Sequence, residues 1–187
     1  AAPLILPARM RGQVSANEQV AVGIIGTGNI AQMHIETLLG FYDVRIAAVC
    51  DVDRVRRETA AEKIDAFYGN RDCRMYGDFR ELAAQPDLDA VWVCTPDHWH
   101  ALAAIEAIRN GKDVYVEKPL TLTIREGREL VNAARRHKRV AQTGTQQRSS
   151  KRFRDVAQFV RNGGLGTLER IEISIPANNK FTGATWL

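Results

Sequence analysis

The stretch Val20-Ala-Val-Gly-Ile-Ile-Gly-Thr-Gly-Asn-Ile-Ala31 decides the fold of this chain. Its apolar start predicts a buried strand, and the pattern Gly26-x-Gly28-x-x-Ala31 predicts a tight turn that opens a helix. Gly26 permits the turn, Gly28 has no Cβ and lets a pyrophosphate approach the backbone, and Ala31 allows the helix to pack closely on the strand. The pattern therefore predicts a strand, a turn and a helix built to bind a dinucleotide.

The start of this predicted helix is a candidate anion site. The N–H groups around Asn29 and Ile30 lie at the positive end of the helix dipole, where a phosphate binds. A second apolar strand ends at Asp51, 25 residues after the first glycine of the motif, where a ribose-binding carboxylate is expected. An ordinary strand–turn–helix that binds no ligand is the alternative. The spacing of glycines and carboxylate favours dinucleotide binding.

Length and composition limit the other possibilities. A chain of 187 residues holds one well-packed domain, or one domain and part of another, and 45% hydrophobic residues exclude a disordered chain. The net charge of +4 is spread along the sequence, and its densest run, Arg135–Arg139, closes a predicted helix, where cations favour the dipole. No nucleic-acid partner is therefore predicted.

The three cysteines, Cys50, Cys73 and Cys94, are predicted to be free thiols. They show no metal-ligand spacing, so no metal site is predicted. Cys50 and Cys94 end strands on either side of the first strand, which would separate them by roughly 10 Å, too far for a disulfide.

Residues 1–19 predict an irregular arm. Pro3, Pro7 and Gly12 interrupt any periodicity, and the apolar start is either the remnant of an export signal or a loose arm. It is too short to span a membrane, and no membrane partner is predicted.

From residue 20 to residue 148, predicted strands alternate with predicted helices. The run Ala90–Cys94 is apolar throughout, as a strand covered on both faces requires, and Val140–Gln142 is the sixth strand. Right-handed crossovers then make residues 20–148 one α/β domain with a doubly wound parallel sheet. In its first helix, His34 falls on the packed face and predicts a core histidine.

Smaller features of this domain are also predicted. Asp53 caps a helix over residues 54–64, Asp97 caps the helix after the fourth strand, and Thr123-x-x-Glu126 forms a capping box.

Beyond residue 148 the pattern changes. An amphipathic helix is marked by Phe153, Val156, Ala157 and Val160. A strand follows in which Ile171, Ile173 and Ile175 alternate with polar residues. Strict alternation is typical of a sheet with one solvated face. Residues 149–187 are therefore predicted to be the incomplete start of an α+β substrate domain.

Ligands of a doubly wound sheet bind beyond the carboxyl ends of the strands, where the strand order reverses, here between the first and fourth strands. The glycine motif, Asp51, Thr95–His100 and Glu117-Lys118-Pro119 all fall on that edge. In this order and spacing, GxGxxA, TPxxxH and EKP resemble the glucose-fructose oxidoreductase / inositol dehydrogenase (Gfo/Idh/MocA) family, over residues 20 to about 175.

The resemblance implies a nicotinamide cofactor on this edge. Asp51 would repel a 2′-phosphate, which favours NAD over NADP. The residues expected to bind the cofactor are Gly26, Thr27, Gly28, Asn29, Ile30, Asp51, Thr95, Pro96, His100, Glu117 and Gln142.

Lys118 matches the catalytic lysine of the family. A lysine beside the nicotinamide can take the proton of a substrate hydroxyl or polarise the carbonyl, and Pro119 would set its direction, through a cis bond if one is present. His98, Trp99 and Arg148 are expected on the substrate side. For His98, Trp99 and His100, packing and hydrogen bonding at the start of a helix are the alternative.

The resemblance implies hydride transfer between NAD(H) and a hydroxyl of a sugar or cyclitol. An NAD-dependent glycosidase of the same family and a non-catalytic dinucleotide-binding module are the alternatives. Family members place the substrate against a second domain, so residues 1–187 are expected to bind cofactor without completing turnover. A homo-oligomer is expected of the full-length protein.

The localisation prediction rests on two further motifs. Thr95-Pro-Asp-His-Trp-His100 and Thr143-Gly-Thr-Gln-Gln-Arg-Ser149 resemble a bacterial branch that often carries twin-arginine export signals. Export to the periplasm is the hypothesis, with the cytoplasm as the alternative.

Overall fold

The structure, a computed structural model, describes residues 18–174 and divides the chain into two compact units between Thr145 and Gln146. This division lies three residues before the predicted boundary. The predicted arm at residues 1–19 lies outside the described residues, except for its last two.

The first unit is built on a six-stranded parallel sheet with the order β3-β2-β1-β4-β5-β6. The chain winds outward from β1 in one direction and then from β4 in the other, so the strand order reverses between these two neighbours. This confirms the predicted doubly wound sheet. The strands are β1 (Val20–Ile25), β2 (Val44–Cys50), β3 (Arg74–Tyr76), β4 (Ala90–Val93), β5 (Asp113–Glu117) and β6 (Ala141–Gly144).

Five helices connect the strands and cover both faces of the sheet. They are α1 (Asn29–Leu39), α2 (Arg54–Tyr68), α3 (Phe79–Ala83), α4 (Asp97–Arg109) and α5 (Ile124–His137). One buried apolar cluster joins the sheet to α1 and α2 through Ile24, Ile35 and Ile64. A second joins the opposite face to α4 and α5 through Ile108 and Leu130. Burial on both faces explains the continuous apolar runs of the central strands.

The local predictions in this unit are mostly confirmed. The buried residues of α1 are those of the predicted stripe: Ala31, His34, Ile35, Leu38 and Leu39. The capping box of Thr123 and Glu126 is present at the start of α5. Asp53 caps α2 by accepting hydrogen bonds from the amides of Val55 and Arg56.

Several element boundaries differ from the prediction. Helix α2 runs four residues beyond residue 64, because Gly69 adopts the left-handed conformation that ends a helix. Strand β6 begins one residue later than predicted and ends at Gly144. The prediction that Asp97 caps α4 is wrong: Pro96 is the N-cap, Asp97 is the first helical residue, and no side chain caps this end.

The second unit contains a 3-10 helix (Gln146–Ser149) and helix α6 (Lys151–Arg161). Helix α6 forms where it was predicted, although none of its residues is buried. The strand predicted over residues 170–175 is not formed in its described part, which ends at residue 174. A strand requires a hydrogen-bonded neighbour, and no described segment pairs with it.

Within residues 18–174, no helix combines the length and apolar character needed to cross a membrane.

Candidate dinucleotide and catalytic site

The glycine turn after β1 packs directly on the end of β4. Gly26 has φ +85°, and a Cβ built at this position would lie 2.7 Å from the backbone carbon and oxygen of Cys94. Its N–H donates to the carbonyl of Cys50 at 2.8 Å. Both the conformation and the lack of space require glycine here. The turn is therefore held between the ends of the two strands that flank β1.

The space around Gly28 is open, in contrast to the crowded space around Gly26. Gly28 is the N-cap of α1 with φ −69°, and a Cβ here would find only Nη1 of Arg56, at 3.7 Å, within 4 Å. Among the described residues, no side chain caps this helix, so the amides of its first turn, at Asn29 and Ile30, are left for an external acceptor. This uncapped helix end beside an open glycine fits a pyrophosphate.

Arg56 is a residue that the sequence analysis missed. Its guanidinium lies beside the open face of Gly28, on the first turn of α2. A cation so placed favours an anionic ligand at the glycine turn. The available signal was its position, five residues after Asp51.

Asp51 follows β2 and faces the glycine turn. Its Oδ2 accepts hydrogen bonds from the amide of Thr27 at 2.7 Å and from the Thr27 hydroxyl at 3.0 Å, while Oδ1 accepts from the amide of Asp53 at 2.9 Å. The carboxylate thus orders the glycine turn. Its contact with a ribose stays a prediction.

The loop after β4 is held by a buried histidine. His100 is 1% exposed; its Nδ1 lies 2.6 Å from the carbonyl oxygen of Pro119, and its Nε2 lies 2.8 Å from that of Thr95. Each ring nitrogen lies within hydrogen-bond distance of a backbone carbonyl, and the tautomer decides which of the two donates. Both nitrogens are thus engaged by the protein, and His100 joins two loops of the predicted edge.

Thr95 itself contributes a buried polar atom to this edge. Within the described residues its Oγ1 has no hydrogen-bond partner. Buried hydroxyls are usually hydrogen-bonded, so an unpaired one at the carboxyl end of β4 fits a polar ligand. Pro96, which follows, is exposed.

Lys118 extends from the carboxyl end of β5. Its side chain is exposed, its amide donates to Oε2 of Glu117 at 3.0 Å, and the Lys118–Pro119 peptide is cis. Glu117 is 3% exposed, and its Oε1 lies 2.7 Å from Nε2 of His34. The contact of Glu117 with the nicotinamide ribose, which the family resemblance implies, also stays a prediction. His34 is confirmed as a core histidine.

The roles of the remaining predicted residues stay predictions. Trp99 turns toward α3, where its ring packs edge-on against Phe79 with centroids 6.0 Å apart. His98 is exposed on the first turn of α4. Gln142 is exposed in β6, where its Nε2 donates to the carbonyl of Thr143. Arg148 lies in the 3-10 helix of the second unit.

The three cysteines of the described part of the chain are buried. Burial raises the pKa of Cys50, Cys73 and Cys94 to about 12 each, which keeps the thiols protonated at neutral pH. All three are free, as predicted. Within residues 18–174, no group of three His, Cys, Asp or Glu side chains could hold a metal ion.

A doubly wound sheet with an uncapped, glycine-opened helix at its switch point defines a dinucleotide-binding domain. The chain belongs to the Gfo/Idh/MocA oxidoreductase family: the family's sequence model, described as an NAD-binding Rossmann fold, matches residues 20–145. The first unit is therefore an NAD-binding domain.

Similar proteins include both oxidoreductases and glycosidases. The uncharacterized oxidoreductase YrbE of Bacillus subtilis is 29% identical over 157 residues, covering 84% of this chain and 44% of YrbE. A glycosyl hydrolase family 109 protein of Saccharopolyspora erythraea is 39% identical over 129 residues, covering 66% of this chain and 28% of that protein.

Among solved structures, myo-inositol 2-dehydrogenase of Lactobacillus plantarum is similar, with a TM-score of 0.70 and 25% identity, covering 79% of this chain and 42% of that one. The chain thus spans less than half the length of each of these three proteins.

Proposed function

We propose that the protein transfers a hydride between NAD(H) and a hydroxyl-bearing carbon of a sugar or cyclitol, with Lys118 as the acid/base. The observation that carries this proposal is the position of Lys118. Its exposed side chain follows β5 directly, on the carboxyl edge that also holds the glycine turn and Asp51. The similarity to an inositol dehydrogenase supports the substrate class.

The chemistry divides between cofactor and protein. Bound NAD would supply the acceptor for the hydride that leaves the carbinol carbon of the substrate. Lys118 takes the hydroxyl proton as the C–H bond breaks, which leaves a carbonyl product; in the reverse direction Lys118 returns that proton. The first-turn amides of α1 would hold the pyrophosphate, and Arg56 would add charge beside it.

Replacement of Lys118 tests the proposal. In the full-length protein, Lys118→Met should lower the rate of single-turnover hydride transfer by roughly 100-fold or more, because the acid/base is lost. The NAD dissociation constant should change little, since Lys118 serves the substrate. Lys118→Arg should be nearly as slow, because a guanidinium keeps its proton near neutral pH.

Two results would contradict this assignment. An unchanged hydride-transfer rate in Lys118→Met would remove the lysine from the chemistry. Tight NAD binding with no turnover of any sugar or cyclitol by the unmodified protein would favour a non-catalytic dinucleotide-binding module.

The second candidate is an NAD-dependent glycosidase, favoured by the 39% identity to a glycosyl hydrolase family 109 protein. Such an enzyme would oxidise its sugar transiently and return the hydride, so it would release a hydrolysed sugar without net reduction of added NAD. Absorbance of NADH during turnover therefore separates the two functions.

A further inference from the structure

A buried histidine–carboxylate pair lies beside the backbone of Lys118. His34 projects from the sheet-facing side of α1, and its Nε2 lies 2.7 Å from Oε1 of Glu117. The two residues are 8% and 3% exposed. A carboxylate this buried requires hydrogen bonds or an opposite charge, and His34 supplies one such bond.

The second oxygen of the carboxylate holds Lys118. Oε2 of Glu117 accepts the hydrogen bond of the Lys118 amide at 3.0 Å. One carboxylate therefore joins the backbone of Lys118 to α1, the helix whose first turn forms the candidate pyrophosphate site. Because the lysine side chain itself is long and exposed, the backbone is the part that the protein can fix.

The neighbouring strand leaves room for this arrangement. Gly144 of β6 pairs in register with Glu117, and a Cβ at this position would lie 3.0 Å from Cα and 3.1 Å from Oε1 of Glu117. A side chain at position 144 would therefore require the carboxylate or the backbone of Glu117 to move by a few tenths of an ångström. The ring of Tyr115, which belongs to β5, packs edge-on against His34, with centroids 5.5 Å apart.

We propose that His34 and Glu117 are positioning residues that hold the amide of Lys118 and so direct its side chain, and that Gly144 is required to make room for them. The proposal rests on the proposed role of Lys118 in the reaction. Orientation of an acid/base relative to the reacting atoms strongly affects rate, so loosening this backbone slows the chemical step more than it weakens cofactor binding.

The test compares two variants of His34. His34→Leu removes the hydrogen bond to Glu117 but still fills the space, whereas the side-chain amide nitrogen of His34→Gln can donate to Glu117 again. His137→Leu is the matched control, because His137 is exposed on α5. Hydrogen exchange of the Lys118 amide, the dissociation constant of ADP-ribose and single-turnover hydride transfer are measured on the intact protein.

We expect His34→Leu to speed exchange of the Lys118 amide by about tenfold or more and to slow hydride transfer by a similar factor. ADP-ribose binding should weaken by a smaller factor than hydride transfer slows, since the first turn of α1 is unchanged and only the ribose beside Glu117 is affected. His34→Gln should recover most of both losses, and His137→Leu should show neither.

Gly144→Ala provides a second route if His34→Leu does not fold. The added methyl should displace the carboxylate and speed the same amide exchange, whereas Gly77→Ala should not, because a Cβ at Gly77 meets only Nη1 of Arg57 at 3.6 Å. Unchanged exchange at Lys118 in His34→Leu, or in Gly144→Ala if that route is needed, overturns the proposal. Exchange needs no substrate, so failure of the proposed function would instead appear as absent turnover with the expected exchange pattern intact.

Discussion

Asp51 is the single residue expected to set the choice of cofactor. Its carboxylate lies at the glycine turn, where it accepts hydrogen bonds from Thr27 and Asp53. A negative charge in this place repels a 2′-phosphate. Asp51→Ser should therefore move the ratio of the NADP and NAD dissociation constants toward NADP by about tenfold or more, at 1.4 kcal/mol per tenfold.

Asp53→Ser is the control for this prediction, because Asp53 caps α2 instead. It should leave the cofactor preference as it is. Titrations in which the unmodified protein binds NADP more tightly than NAD would refute the assignment of Asp51.

The cysteines allow a second prediction at this scale. Burial raises the pKa of Cys50, Cys73 and Cys94 to about 12, and only a thiolate reacts rapidly with iodoacetamide. At pH 8 the folded protein should thus resist alkylation at all three positions, whereas the denatured protein should react at each. Mass spectrometry of the peptides measures this, and rapid labelling of folded Cys94 would show that the end of β4 opens.

At the scale of elements, the two glycines of the turn have different tasks. Any other residue at position 26 would be strained, and its Cβ would clash with the backbone of Cys94. Gly28, in contrast, has an ordinary φ and open surroundings. Gly28→Val should weaken NAD binding strongly while the circular dichroism spectrum and the melting temperature stay close to those of the unmodified protein.

Gly26→Val is the matched comparison and should lower the melting temperature clearly, because its Cβ has no space. If Gly28→Val unfolded the protein as well, Gly28 would be needed for the backbone rather than for the ligand.

Helix α4 contributes to the candidate site through a buried side chain. Its residue His100 engages the carbonyls of Thr95 and Pro119, which follow β4 and Lys118 respectively. The Thr-Pro-x-x-x-His motif therefore acts through the loops that it joins. A direct contact of His100 with the cofactor would require one of these two bonds to break.

At the scale of the whole molecule, binding of NAD should stabilise the fold. A ligand that binds only the folded state adds about 2.7 kcal/mol at a concentration 100 times its dissociation constant. For a protein of this size, that corresponds to a rise in melting temperature of roughly 5–10 °C. Scanning calorimetry with increasing NAD measures the shift.

ADP-ribose should produce most of this shift, because it lacks only the nicotinamide ring of NAD and keeps the pyrophosphate and the ribose expected at Asp51. Gly28→Val should show little shift at the same concentrations. An equal rise in this variant would place NAD elsewhere on the molecule.

The sequence by itself determined the elements whose signals are local. The glycine turn, the buried stripe of α1 and the capping box of Thr123 each depend on residues a few positions apart, so their patterns predict them directly. The alternation of strands and helices then restricts the topology to a doubly wound sheet, because crossovers are right-handed. The candidate edge, with Asp51 and Lys118 on it, follows from that topology.

Only the tertiary structure decided the contacts between residues distant in the chain. The partner of Glu117 is His34, 83 residues away, and no local pattern pairs them. The same holds for His100 and Pro119, and for Gly144, whose need for glycine comes from the carboxylate on the neighbouring strand. Side chains at a sheet edge are positioned by packing across strands and helices, and packing of that kind has no period in the sequence.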